Sequence, residues 1–260
     1  MSTLEETLVD ESALEQVSGA PRAIGTPDEA FLDMLARLER SGARKVLDAP
    51  CGRGRFTHLL KARGFDVSAA DILPELFEVQ GVECQKCDLN RSLPYADSTF
   101  DAVASCSGIH RVFAVGRAMS EYARVLKPGG LLLVTLPNFT KLSRRLRFLF
   151  TGVNSWAVLR LSSEVENPEA HFRQSGGLPQ VMSVMKSLGL EIVGVSGARK
   201  KARHIFYLPF WPLAQIGIFF VSQKKRERYC LREGASWPAL FSDFVLIVAR
   251  KPTSSAKPSG

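Results

Sequence analysis

The chain has 260 residues and a formal net charge of +8, with 45% of its residues hydrophobic and 23% charged. Those proportions exclude a disordered or collagen-like chain and suit one generous α/β domain, or one domain carrying a smaller inserted lobe. Charge is unevenly placed: residues 1–30 hold one Arg against seven Asp and Glu, whereas residues 139–260 hold 19 basic against 7 acidic side chains. The basicity belongs to the C-terminal half and is not by itself a nucleic-acid signature.

Five cysteines at irregular spacing do not make a disulfide framework in a chain of this length. Residues 1–25 are acidic and polar, with no basic stretch leading into an apolar run, so no signal peptide and a cytoplasmic setting are expected. They read as a flexible tail. Thr26-Pro27-Asp28-Glu29 predicts a helix start, with Thr26 as cap, Pro27 at the first position and Glu29 completing a capping box. Phe31, Met34, Leu35 and Leu38 follow at helical spacing, and Gly42 ends the helix.

Strands are predicted at 45–49, 66–70, 82–87 and 101–106, with a helix over 55–63 and another over 115–125. A turn at Leu126-Lys127-Pro128-Gly129-Gly130 leads into an apolar strand over 131–136. Strands alternating with helices imply parallel pairing through right-handed crossovers, with helices on both faces: a doubly wound α/β sheet. Two stretches break the alternation, at 138–178 and 197–239; between them a helix over 178–187 and a strand over 191–196 resume it. An apolar strand over 241–251 follows, and 253–260 is a Ser/Pro/Lys-rich tail expected to be disordered. The expected organisation is a single domain over 26–252 with two insertions.

The central motif is Val46-Leu47-Asp48-Ala49-Pro50-Cys51-Gly52-Arg53-Gly54, where the first strand gives way to the first helix of the alternation. Ligands of open α/β sheets bind at the carboxyl ends of strands. Glycines there let backbone approach a ligand, and a helix N-terminus favours a carboxylate. A dinucleotide fingerprint needs a third glycine three residues after the second, and here that position is Thr57, which weakens that reading. Asp71 closes the second strand, where a carboxylate can accept two hydrogen bonds from a ribose diol. Asp88 closes the third, in a position to meet an adenine amino group.

Those residues are followed by Leu93-Pro94-Tyr95-Ala96-Asp97-Ser98-Thr99-Phe100-Asp101-Ala102-Val103 and then Arg124-Val125-Leu126-Lys127-Pro128-Gly129-Gly130. With these motifs in this order the chain resembles the class I S-adenosylmethionine-dependent methyltransferases, tightly over 26–137 and more loosely over 178–251. The resemblance implies a Rossmann-like seven-stranded sheet with insertions forming an acceptor-side cap, and S-adenosyl-L-methionine as cofactor. It implies that Asp48, Ala49, Gly52 and Gly54 surround the methionine end, Asp71 holds the ribose, Asp88 and Leu89 the adenine, and Ser105 lies near the sulfonium. Arg53 and Arg55 would favour the cofactor carboxylate. Pro50 departs from the pattern, since many members have glycine there, and removes a backbone N–H. Thr135-Leu136-Pro137-Asn138 and Arg144-Arg145-Leu146-Arg147 resemble a narrower subgroup. It includes methyltransferases of quinone precursors, sugars and lipids and a methyltransferase-like protein of methionine biosynthesis. A His follows in the next loop of that subgroup, and His171 corresponds to it.

A sulfonium methyl is already activated, so the protein must align an acceptor and, for a hydroxyl, take a proton. His110, in Ser107-Gly108-Ile109-His110 after the fourth strand, and His171, in the first insertion, are the candidate catalytic bases; a loop histidine without catalytic role is the alternative for each. The expected function is methyl transfer to a small-molecule or lipid-like acceptor, at oxygen. The alternatives are a methyltransferase-like regulatory partner of another enzyme, and an RNA methyltransferase.

Cys84-Gln85-Lys86-Cys87 lacks a second ligand pair, so no metal site is expected. Residues 205–221 are apolar and aromatic, with only Gln215 clearly polar; Pro209 and Pro212 interrupt them, and basic clusters lie on both sides within 199–228. That pattern opposes a spanning helix and fits either an interfacial element on an anionic membrane or an internal lid over the acceptor pocket. Because apolar and basic residues are blocked apart, the pattern disfavours a nucleic-acid platform.

Overall fold

Alternate residues of each central strand fall into two separate apolar clusters, one on each face of a single sheet. Val46, Ala102, Ala104, Leu131 and Leu133 pack on one side, and Leu47, Val103, Leu132 and Val134 on the other. Strands covered on both faces are why the sequence reads there as near-continuous apolar runs. The computed structural model describes residues 26–152, 177–200 and 202–253. The strands are β1 (Lys45–Asp48), β2 (Asp66–Asp71), β3 (Cys84–Lys86), β4 (Phe100–Cys106), β5 (Leu126–Pro137), β6 (Glu191–Lys200) and β7 (Ser242–Arg250). They lie in the order β3-β2-β1-β4-β5-β7-β6.

The helices are α1 (Asp28–Ser41), α2 (Arg55–Ala62), α3 (Val115–Val125), α4 (Leu142–Thr151) and α5 (Leu178–Ser187), then α6 (Trp211–Phe219), α7 (Gln223–Arg228), α8 (Leu231–Gly234) and α9 (Trp237–Phe241). Phe31, Met34, Leu35 and Leu38 of α1 join Phe56, Leu59 and Leu60 of α2 on one face, with Phe31 and Phe56 stacked at 5.5 Å. Met119 and Tyr122 of α3 join Val181, Met182 and Met185 of α5 on the other.

Three sequence expectations are corrected. Pairing is not parallel throughout, because β7 runs antiparallel to both β5 and β6. The chain between β6 and β7 never crosses back along the sheet, so β7 must run the opposite way. The predicted turn at 126–130 is the first part of β5, with Leu126 already paired to Phe100 and a register shift before Ala102. Thr26 does not cap α1. It is buried, with Oγ1 2.6 Å from Ser107 Oγ and 3.2 Å from Thr135 Oγ1, so it ties the start of α1 to the ends of β4 and β5.

The mixed topology fixes where the insertions stand. β5 and β6 both end, and β7 begins, at the edge that carries the carboxyl ends of β1 and β4. Everything inserted after β5 and between β6 and β7 therefore emerges on that edge. Asn138 anchors the junction: its Nδ2 donates to the carbonyls of Ala239 and Ser242, and its Oδ1 accepts from the backbone of Thr140. The expected tail 1–25, nearly all of the expected tail 253–260 and His171 lie outside the described residues.

Candidate cofactor and acceptor site

The turn after β1 is laced to both neighbouring strands. Ala49 N–H donates to the Ala104 carbonyl at 2.9 Å, and Cys51 N–H to the Ala70 carbonyl at 3.0 Å. Tyr122, which sequence reasoning did not single out, reaches up from α3 and donates its hydroxyl to the Ala49 carbonyl at 2.7 Å. Burial pushes that phenol up, so it stays a donor. Ser105, next to last in β4, is fully buried, with its Oγ 3.2 Å from the same hydroxyl.

Gly52 and Gly54 each carry positive φ, +54° and +92°. Nothing stands within 4 Å of where a Cβ on Gly52 would be, so its backbone is open to a ligand. Gly54 differs: a Cβ there would stand 2.5 Å from Val79 and 2.7 Å from Phe77, because the segment after β2 folds down onto it. The Arg53–Glu78 ion pair and the bond from Glu78 N–H to the Arg53 carbonyl hold that segment in place.

Asp71 stands at the end of β2 and accepts Gly52 N–H at 2.8 Å on Oδ2 and Leu73 N–H at 3.1 Å on Oδ1. The structure thus brings Asp71 and Gly52 together, and an ionised carboxylate retains acceptor capacity beyond those two bonds. Asp88 caps the next turn, its Oδ1 accepting from the backbone and side chain of Asn90, while Asn90 Oδ1 accepts Phe113 and Ala114 N–H. Leu89 belongs to the apolar core. Ile72, directly after Asp71, and Phe113 are half-exposed apolar groups beside these two carboxylates.

Asp48 is completely buried. Its Oδ2 accepts from Thr57 Oγ1 at 2.7 Å, and its Oδ1 has no hydrogen-bond partner. Burial raises its pKa from 3.8 to about 7, against the Thr57 hydrogen bonds and helped by the charge of Asp71. Thr57, which weakens a dinucleotide reading, is the residue that supports this carboxyl. His110 lies in the single helical turn Ile109–Arg111 after β4, buried, with its ring 6.0 Å from that of Phe139.

Pro50 packs directly on Gly108, where a Cβ would stand 2.0 Å from Pro50 Cγ. Cys84 meets Cys51, not Cys87, with the sulfurs 3.4 Å apart. Burial pushes both thiols up, so neither supplies a thiolate readily. Asp97 and Asp101 serve the framework. Asp97 pairs with Arg124, which also donates to the Tyr95 and Leu93 carbonyls. Asp101 accepts from the backbone of Arg44 and Lys45 and from Lys127; despite some burial, these bonds hold its carboxyl at about 2.

The strand order, the laced turn after β1 and the carboxylate at the end of β2 define a class I S-adenosylmethionine-dependent methyltransferase fold. Residues 47–134 match the family model described as a methyltransferase domain. The chain is 35% identical over 122 residues to the biotin biosynthesis bifunctional protein BioHC of Cellvibrio japonicus, covering 45% of this chain and 23% of the relative. It is 29% identical over 178 residues to a ubiquinone biosynthesis O-methyltransferase of Xylella fastidiosa, covering 65% of this chain and 69% of the relative. The first curated relatives it matches are spanned over only 23–40% of their own length. A solved S-adenosylmethionine-dependent methyltransferase from Archaeoglobus fulgidus shares the fold, with a TM-score of 0.53 at 19% identity over 85% of this chain and 94% of that one.

Proposed function

We propose that the chain transfers a methyl group from S-adenosylmethionine to a small-molecule or lipid-like acceptor, at oxygen. The observation that carries the reading is the Asp71–Gly52 contact across the carboxyl ends of β1 and β2. It presents a part-used carboxylate beside open glycine backbone, with the bare Oδ1 of Asp48 buried below the same turn. These residues fit the cofactor: Asp71 accepts a ribose diol, and Asp48 offers negative charge toward the methionine end. Gly52 lets the chain lie close, and Ile72 and Phe113 give a planar base apolar cover. The bound cofactor supplies an activated methyl; the chain's task is to hold the acceptor in line and to take its proton. The oxygen acceptor draws support from the name of the Xylella relative.

Calorimetric titration with S-adenosylmethionine and S-adenosylhomocysteine tests the cofactor site. Wild type is expected to bind both, and Asp71→Ala to bind about 10- to 100-fold more weakly, the worth of charge-assisted hydrogen bonds to a diol. Equal binding by the variant would remove Asp71 from the site.

His110 is the described candidate for the proton acceptor, placed by its turn at the edge where the insertions emerge. With an acceptor fraction from a lipid or metabolite extract, His110→Gln is expected to lose about 100-fold in methyl transfer with unchanged cofactor affinity. An unchanged rate would leave alignment alone as the chain's contribution.

One observation favours the second reading, a regulatory partner without catalysis. Pro50 removes a backbone donor from the turn and fills the space against Gly108. No cofactor binding by well-folded wild type would decide for it.

A further inference from the structure

We propose that α6 and the exposed end of α4 form one docking face for an anionic lipid bilayer. α6 is apolar around its whole circumference. Its one polar side chain, Gln215, is tied inward, donating from Nε2 to the Ala235 carbonyl at 2.9 Å. Ala214 and Ile218 pack inward against a small cluster with Leu240 and Phe241. The rest faces out: Leu213 and Ile216 are exposed, Phe219 is 74% exposed and Phe220, just past the helix end, 81%. A helix apolar on every side is ordinarily surrounded, by a large core or by lipid. Nine residues cannot cross a bilayer, and among the described residues no helix is long and apolar enough to do so. That leaves docking at the interface.

The second element was not expected from the sequence. Leu146 of α4 packs against the same cluster as Ala214 and Ile218, so α4 and α6 border one seam, bridged by the helical turn Ala202–Phe210 that touches both. Beyond that seam Phe148, Leu149 and Phe150 are all exposed, Phe150 at 81%. Single exposed apolar residues need no explanation, but two elements packed on one cluster that both expose their largest side chains mark an interaction surface.

Charge selects the occupant. Residues 138–152 and 202–226 contain no Asp or Glu. Arg147 on α4 and Lys224, Lys225 and Arg228 on α7 are exposed on the elements that carry or directly follow the apolar face, outnumbering the one exposed acid of α7, Glu227, which accepts from Gln223 Nε2. A second copy docking symmetrically would set these cations against their own counterparts. An anionic leaflet instead receives the aromatics in its acyl boundary and the cations at its headgroups. The face lies on the sheet edge that bears the candidate site, so docking would make membrane-resident molecules the acceptor class. Docking itself rests on the surface alone and not on the methyl-transfer reading.

The test is flotation of the full chain, without cofactor, on vesicles of phosphatidylcholine and of phosphatidylcholine doped with phosphatidylglycerol. The variants are the doubles Phe219→Ser/Phe220→Ser, Phe148→Ser/Phe150→Ser and Lys224→Glu/Lys225→Glu, each checked for an unchanged thermal unfolding midpoint. Expected is flotation with the anionic vesicles only, strongest at low salt. Loss of either aromatic pair should weaken partitioning about 10-fold or more, and each lost cation about fivefold. No flotation at low salt overturns the proposal. So does flotation indifferent to the aromatic pairs, which would reduce the contact to loose charge attraction. Sedimentation showing a dimer that the same substitutions dissolve, with no flotation, would give the face to a second copy and also overturn it.

Discussion

Gly108→Ala is expected to destabilise the chain by about 3 kcal/mol, and Pro50→Gly is expected to rescue most of that loss. Gly108 has ordinary φ and ψ of −99° and −44°, which alanine adopts freely, so the backbone is not the obstacle. The obstacle is space: the new methyl would stand 2.0 Å from Pro50 Cγ and 2.3 Å from its Cδ. A proline ring has no rotamer that carries it away, so the turn after β1 must shift against the backbone bonds that hold it to β2 and β4. Taking the ring away restores the room. Urea unfolding of wild type, both single variants and the double should give a coupling of about 2 kcal/mol. Additive losses would mean that the cost of the alanine does not come from the Pro50 ring. Pro50→Gly alone also returns an N–H to the turn, and tighter cofactor binding by this variant would identify Pro50 as the element that tunes the site.

The framework was legible in the sequence because periodicity and punctuation agree there. The predicted helices over 115–125 and 178–187 match α3 and α5 to the residue, since their apolar stripes each face one side of a two-sided sheet. The direction of β7 was not legible, because it depends on the route of a connection, not on the composition of the strand. Thr26 shows the same limit at smaller scale: a Thr before Pro-Asp-Glu reads as a cap, but its hydroxyl is claimed by Ser107 and Thr135, residues far along the chain. Within the candidate site, the pairing of Asp71 with the glycine turn follows from their places at adjacent strand ends. Ser105 does not lend itself to such reading. Alternation along β4 turns it toward α3, and its contact with the Tyr122 hydroxyl depends on a residue 17 positions further along the chain. The Cys51–Cys84 contact was hidden by the Cys84–Cys87 spacing, which draws the eye to the wrong partner. The α4 half of the apolar face was hidden because its residues are unremarkable until the fold sets them beside α6.

Asp48→Asn is expected to stabilise the chain near pH 8 and to lose that advantage by about pH 4. The carboxyl titrates at about 7 in the folded chain against an ordinary 3.8, chiefly because burial penalises its charge. Between those values the folded state holds a proton that the unfolded state has released, so stability falls as pH rises through the window. The shift corresponds to roughly 4 kcal/mol of penalty once pH exceeds 7. Asparagine removes the charge and keeps an acceptor for Thr57, but it places an amide where Oδ1 has no hydrogen-bond partner, which costs about 1–3 kcal/mol at every pH. A net gain of about 2 kcal/mol is therefore expected near pH 8, turning into a loss of about 2 kcal/mol at about pH 4, measured by denaturant unfolding at each pH. A pH-independent difference would show that the carboxyl titrates normally. Under the proposed methyl-transfer reading, that cost supplies a negative charge which the ligand completes. If the cationic methionine end of the cofactor lies over this turn, its binding draws the proton from Asp48. Affinity for S-adenosylmethionine should then climb with pH up to about 7, by at most tenfold per unit, and should be flat with pH in Asp48→Asn. The same substitution would thus stabilise the chain and weaken its cofactor, a combination that a purely structural aspartate would not produce.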